Sequence, residues 1–333
     1  MEALKVNQFV TVLKMNNNFT SLDNIENLQE NKKTPLPVKA SMSSKIDINK
    51  DEYKLESRWN KNNNENYILN LKEEANHSLI RFTIWNAIIE HRKRKIYNKT
   101  KTDLLPKDQR TDEYNVPVVF YEYDGSVYVC IVTRQDNQLK KVQELINFKN
   151  IDVAVNPLST TGNIIEWLFW RYMSKKSTLV NEDTTLLNLL SFEGTILDGD
   201  TSDLLKGRSP QISNLDVTKA VLALGDPLNS AMIRLNWKKS ELQFTYTTNG
   251  SVSVDSNNLD LSDEITKDVP SEEMKSYTAL VYIASTVLPR LIALSNEEAQ
   301  EFSEGFETFK QKLATEVIEK LIKKNNLEEV YLS

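Results

Sequence analysis

Two dipeptides constrain this chain more than any other feature: Asp124-Gly125 and Asn249-Gly250, each set between runs rich in β-branched and aromatic residues. A two-residue turn that matches the twist of its strands needs positive φ at its centre, which Asn, Asp and Gly adopt with the least steric cost. The spacing therefore predicts a hairpin of Val116 to Tyr123 with Ser126 to Thr133. It also predicts a meander of Met232 to Trp237, Leu242 to Thr247 and Ser251 to Asp255, joined by a turn at Lys238 to Glu241 and by Thr248-Asn249-Gly250. Because side chains alternate along a strand, Ile233, Leu235 and Trp237 share one face, and Met232, Arg234 and Asn236 the other.

Between and beyond these strands the apolar residues recur at helical spacing. Leu79, Phe82, Trp85, Ile88 and Ile89 predict a helix from about Ser78, whose last turns carry the basic run His91 to Lys95. Leu139, Val142 and Ile146 predict a second helix, and Asn163 to Lys176 a third, apolar all round, with Asn163 and Glu166 at capping-box spacing. Met274, Tyr277, Leu280, Val281, Ala284, Val287 and Leu288 mark a helix that Pro289 should kink or end. Ser295 with Glu298 is expected to cap the next, whose stripe is Phe302, Phe306, Phe309, Leu313, Val317 and Leu321. Phe9 to Leu13 suits an edge strand and Ile151 to Val155 a short buried one ended by Pro157, while Asn16 to Lys33 and Lys45 to Glu65 suggest long loops. The expected fold class is α+β: antiparallel hairpins and a three-stranded meander packed with amphipathic helices, and a helical C-terminus. Three regions are expected: an N-terminal region (1–110) with Asn/Lys-rich loops and a basic helix end, an α+β core (111–292) and a C-terminal helix (293–333).

With 333 residues and 40% hydrophobic content, the chain can bury a sizeable core. The N-terminal residues, with Glu2, Lys5 and Asn7, carry no apolar signal core, and the apolar stretches read as too short to span a bilayer, so a cytoplasmic location is expected. Cys130, the single cysteine, lies in a strand-like stretch and reads as core; His77 and His91 are too few for most histidine-built metal sites. No cofactor is expected.

The net charge of −6 is unevenly spread. From His91 to Arg110, eight cations (Arg92, Lys93, Arg94, Lys95, Lys99, Lys101, Lys107 and Arg110) face two acids, a net of +6 that leaves −12 for the remainder. Such asymmetry on an acidic body points to a polyanion-facing surface, against the plainer reading of a solvated helix end and loop. Lys206, Arg208, Arg234, Lys238 and Lys239 add cations in or beside the meander, where strand side chains at regular intervals can track a phosphate backbone.

Catalytic signatures are scarce. GxGxxG, GxxxxGK[ST] and HExxH patterns are all missing, which removes the defining parts of dinucleotide enzymes, P-loop ATPases and zinc proteases. Asp198, Asp200 and Asp203 crowd one stretch without calcium-loop spacing, and read as an acidic surface loop. Glu52-Tyr53-Lys54 has the Glu-x-Lys spacing of many metal-dependent nucleases, a pattern short enough to arise by chance.

Six short pieces carry a resemblance: Tyr123-Asp124-Gly125-Ser126-Val127, Glu166-Trp167, Gly194-Thr195-Ile196, Leu235-Asn236-Trp237, Leu242-Gln243-Phe244 and Asn249-Gly250-Ser251. In order and approximate spacing, residues 115–292 resemble the bacterial RdgC family of recombination-associated proteins. The resemblance implies a non-enzymatic, nucleoid-associated protein that encircles double-stranded DNA as a ring-shaped homodimer, without sequence preference, and restrains RecA-mediated recombination. Lysines that the family carries before its Leu-Asp-Trp strand have no counterpart here, since Asp226, Asn229, Ser230 and Met232 fill that region. The expected DNA-binding residues are therefore Arg92, Lys93, Arg94, Lys95, Lys99, Lys101, Lys206, Arg208, Arg234, Lys238 and Lys239. Two alternatives stand beside this reading: a protein-interaction component of an anti-phage or mobile-element system, and a metal-dependent nuclease.

Overall fold

A computed structural model describes residues 8–38, 50–71, 78–100, 103–152, 156–160, 163–180, 183–198, 201–267, 269 and 271–327. The chain divides into two compact units, Gln8–Pro157 and Leu158–Ser333, so the expected boundaries at 110 and 292 both fall inside a unit. Helices and antiparallel strands are mixed and the chain's last described element is a helix, which makes the fold α+β.

The first unit is built on β1 (Val10–Lys14), β2 (Asn31–Pro35), β3 (Lys54–Leu71), β4 (Ser78–Arg92), β5 (Thr111–Tyr123) and β6 (Ser126–Val132). They lie in the order β2-β3-β4-β5-β6-β1, every neighbour antiparallel. Asp124 (φ 49°) and Gly125 (φ 64°) form the expected turn between β5 and β6. Helix α1 (Asp136–Ile146) buries Val142, Leu145 and Ile146 in one core with Trp85, Val118 and Val129. Ile151 makes a single bridge to Met15; residues 153–155 of the expected short strand lie outside the described residues.

Three expectations for this unit are corrected. Ser78 to His91 is a strand, not a helix. Ile80, Phe82 and Ile84 are buried at alternate positions, then Trp85, Ala87 and Ile89 at the other set, while Leu79 is 61% exposed. Two period-2 patterns of opposite phase, laid end to end, imitate the 3.6-residue repeat; the β-branched and aromatic content was the truer signal. Consequently the basic run follows the end of a strand and is not a helix end. Finally, residues 45–49 of the expected loop lie outside the described residues but Lys54 to Glu65 belongs to strand β3, and Asn16 to Lys33 contains a turn at Leu22–Asn27 that buries Leu22 and Ile25, and the start of β2. Backbone pairing with β4 satisfies β3 whatever its polar side chains do, so composition misled.

The second unit contains α2 (Ile164–Met173), β7 (Thr184–Asp198), β8 (Thr201–Arg208), α3 (Asp216–Leu224), β9 (Leu228–Trp237), β10 (Ser240–Thr247) and β11 (Ser251–Val254). Its strands run β11-β10-β9-β7-β8, again antiparallel, with the meander as expected. The last described elements are the helices α4 (Glu272–Tyr282), α5 (Leu288–Glu297) and α6 (Ala299–Asn325). Pro289 does not end the first of them. A π-helical turn at Ile283–Val287 joins α4 to α5, and that wider turn relieves the clash of a proline ring with the preceding carbonyls. This joined helix, Glu273–Glu297, is long and apolar enough to cross a bilayer, contrary to the reading of its sequence; 67% of its most apolar window is buried within the protein. Ser295 lies inside α5 and donates to the Ile292 carbonyl instead of capping α6.

Helix α2 is buried on all sides, as its sequence predicts, but its acid has another task. Glu166 does not join a capping box: its carboxylate accepts the Leu228 N–H at 2.8 Å, clamping α2 to the start of β9, and its Oε2 is buried without a partner. Burial pushes the Glu166 carboxyl above its ordinary value of 4.5, against the smaller opposing effect of the backbone hydrogen bonds. A carboxyl raised in the folded state contributes stability that is complete below pH 4.5 and is lost as pH rises through the folded value. Glu166→Gln, neutral throughout, is expected to lose less stability than the parent between pH 4 and about 8, read as urea midpoints at each pH; parallel profiles would exclude ionisation of Glu166 as the cause.

Candidate nucleic-acid interface

The basic run is the connection between two strands. Arg92 pairs with Thr111 at the end of the β4–β5 ladder, and the Lys93 N–H donates to the Arg110 carbonyl at 2.7 Å, so residues 93–110 form the closed end of a long hairpin. The loop has its own scaffold. Tyr97 bridges Leu104, and the Leu105 N–H reaches the Ile96 carbonyl at 2.8 Å. Ile96, 2% exposed, packs with Leu36 and Leu55 in a small separate core. An apolar anchor in the middle of a charged run explains why the loop holds a shape at all: burying one isoleucine contributes about 1.5–3 kcal/mol.

The scaffold divides the cations into two groups. Arg110, counted as surface charge from the sequence, is only 4% exposed; its guanidinium donates to the carbonyls of Leu105 and Glu52 and lies 5.3 Å from the Tyr53 ring. Lys107 pairs at 2.8 Å with Glu90, itself 8% exposed and bound by the Glu56 N–H. Lys93 is held by Asp112 at 3.2 Å and by the Asp108 carbonyl. These three hold the loop in place. Arg92 donates to the Pro37 carbonyl at 2.9 Å and stays exposed. Arg94, Lys95 and Lys99 are exposed and make no ion pair among the described residues. Lys101 lies outside the described residues. Glu90 was missed in the sequence because its counter-charge role depends on a cross-strand neighbour and a loop that only the fold brings to it.

In the second unit the expected cations are largely neutralised. Lys206 stands directly across from Glu193 and pairs with it at 2.7 Å. Arg234, on the expected polar face of β9, is paired by its Nε to Glu241 at 2.6 Å, and Lys239 meets Glu264 at 3.2 Å. Lys238 occupies the β9–β10 turn with φ 54°. Arg208 is exposed and makes no ion pair among the described residues. Exposed pairs of this type are each worth about 0–1 kcal/mol, so phosphate can compete for these lysines, but their charge is not standing in excess as it is on the loop.

The Glu52-Tyr53-Lys54 pattern forms no catalytic cluster. Glu52 and Tyr53 lie in a single turn (Asp51–Tyr53). Lys54 pairs with Asp51 at 2.8 Å, and Lys54 and Lys33 together hold the Asp51 carboxyl below its ordinary value. No group of three or more His, Cys, Asp or Glu placed to hold a metal occurs among the described residues; Gly199 and Asp200 of the acidic stretch lie outside them. Cys130 is buried, and burial pushes its thiol up, away from the reactive thiolate.

No protein-family model and no curated protein matches this chain. The likeness to RdgC therefore rests on its own six short pieces. One of them, Tyr123 to Val127, is the β5–β6 turn of the first unit; the others belong to α2, β7, β9, β10 and the turn before β11 in the second.

Proposed function

We propose that the protein is a non-enzymatic, sequence-independent binder of duplex DNA that modulates recombination or DNA processing, acting as a homodimer as the RdgC resemblance implies. One observation carries the reading: Arg92, at the end of β4, and Arg94, Lys95 and Lys99, on the loop that follows, are exposed, and that loop is shaped by Ile96 and by the three engaged cations Lys93, Lys107 and Arg110. A loop held in shape by its own core presents its charges without a large ordering cost on binding. Cations spaced along such a loop suit phosphates, which fix position and carry no base information.

Four cations engaging phosphate predict that affinity for a fluorescent duplex falls about a hundredfold between 50 and 200 mM salt, and equally for unrelated sequences. Arg92→Glu/Arg94→Glu is expected to weaken binding by more than about tenfold and to flatten the salt slope by roughly one unit for each cation removed, with the DNA left intact in Mg²⁺. Absence of binding at low salt would remove the proposal.

A second reading has its own support. Val217 and Leu224 on α3, and Ile318 and Leu321 on α6, are each at least half exposed, on helices tied together by Lys219–Glu316 and Lys320–Asp216. Large apolar side chains exposed on paired helices suit a protein partner. Loss of partner binding in Ile318→Glu/Leu321→Glu, with no effect of charge reversal at Arg92 and Arg94, would favour it.

A further inference from the structure

Within the second unit, the end of α2, the turn at Ile212–Asn214, α3 and α6 enclose a cleft of about 620 Å³, a volume in the range of small-ligand sites. Its charges do not balance. Lys175, Lys219 and Lys312 line it against one carboxylate, Glu316, and that carboxylate already holds Lys219 at 2.6 Å. Lys175 and Lys312 are thus two positive charges that the cleft leaves uncompensated. Like charges gathered in a concave site with apolar walls, here the buried Phe309 and Leu313, concentrate the local field and attract anions. Lys175, at φ 60°, is the left-handed residue of the turn that ends α2, where the Lys176 N–H returns to the Arg171 carbonyl at 2.8 Å. Donors that fit a phosphorylated ligand are also present, since Ser213 and Asn214 line the same cleft as the lysines and Ser213 is buried.

We infer that this cleft binds a small phosphorylated anion of about nucleotide size, its phosphates on Lys175 and Lys312 and its remaining polar groups on Ser213 and Asn214. The inference does not depend on duplex binding, because the residues involved belong to the other unit from the basic loop.

The test is isothermal titration of the full chain, at low salt, with ATP and with inorganic pyrophosphate. At least one is expected to bind with Kd below about 1 mM, and Lys175→Gln/Lys312→Gln to weaken it about tenfold or more at unchanged Tm, since both side chains are exposed. Tighter binding of ATP assigns a nucleotide as ligand; equal binding assigns an inorganic polyphosphate. Lys323→Gln/Lys324→Gln, at two exposed lysines of α6 that do not line the cleft, serves as the control and is expected to bind both anions as the parent does. No binding of either anion, or a double Gln variant that binds like the parent, overturns the inference.

Discussion

Trp85→Ala is expected to destabilise the Gln8–Pro157 unit by about 3–5 kcal/mol, the cost of removing a fully buried indole and leaving a cavity behind it. Trp85 is 1% exposed at the middle of β4, and its ring centroid lies 5.5 Å from that of Trp59 and 5.2 Å from that of Phe120, both edge-on. The Lys61 ammonium sits 4.8 Å over the same ring. Because Lys61, Trp85 and Val118 occupy one rung across β3, β4 and β5, the cavity opens where the three strands depend on one another. Hydrogen exchange should therefore show protection lost together across β3 to β5, while the Leu158–Ser333 unit keeps its own. Loss confined to β4 would mean that the ladder does not unfold as one piece. If the proposed function holds, the same variant loses duplex affinity only to the extent that the unit unfolds, since β4 leads directly into the basic loop.

In the second unit the largest polar effect is expected at Glu298, which sits between α5 and α6. Its carboxylate accepts from Trp167 Nε1 at 3.0 Å and from the Arg171 guanidinium, which also donates to the carbonyls of Lys176 and Thr178. Both Trp167 and Arg171 belong to α2, so one acid ties the buried helix to the start of α6. Glu298→Ala leaves a guanidinium with 10% of its side chain exposed and an indole N–H without their acceptor. The expected cost is about 3 kcal/mol, at the lower end for breaking a buried ion pair because Glu298 keeps 23% of its side-chain surface. Arg171→Met/Glu298→Leu is expected to recover most of that loss, since an apolar pair asks for no desolvation of charge. A double variant as unstable as the single one would place the cost in the hydrogen bonds from Arg171 to the carbonyls instead. Urea midpoints of the three proteins decide between these outcomes.

The candidate interface was legible in the sequence only as a concentration of charge. Counting cations from His91 to Arg110 located the loop but did not distinguish its members: Arg110 reads like Arg94 in sequence, yet one is buried against Tyr53 and the other exposed. The difference lies in the carbonyls of Leu105, from the loop itself, and of Glu52, from the turn before β3, which accept from Arg110. The same holds for Arg234 and Lys206, whose counter-charges arrive through strand register. The lysine cleft was invisible for a stronger reason. Lys175, Lys219 and Lys312 come from three separate parts of the chain, and each alone is an ordinary solvated side chain.

What the sequence determined by itself were the features whose physics is local. The turns at Asp124-Gly125 and before β11, the meander, α1 and the all-round apolar α2 follow from positive-φ residues and from periodicity within a few residues. Tertiary structure decided whatever depends on a partner distant in the chain. It made β4 a strand, because β3 and β5 supply backbone partners along its length and its alternate faces are buried in turn. It turned Glu166 from a helix cap into a clamp on Leu228, and it carried α4 past Pro289 through a π turn. Propensity and capping are worth about a kilocalorie per residue or less, and burial of a large side chain several times that, so where the two disagreed the packing prevailed.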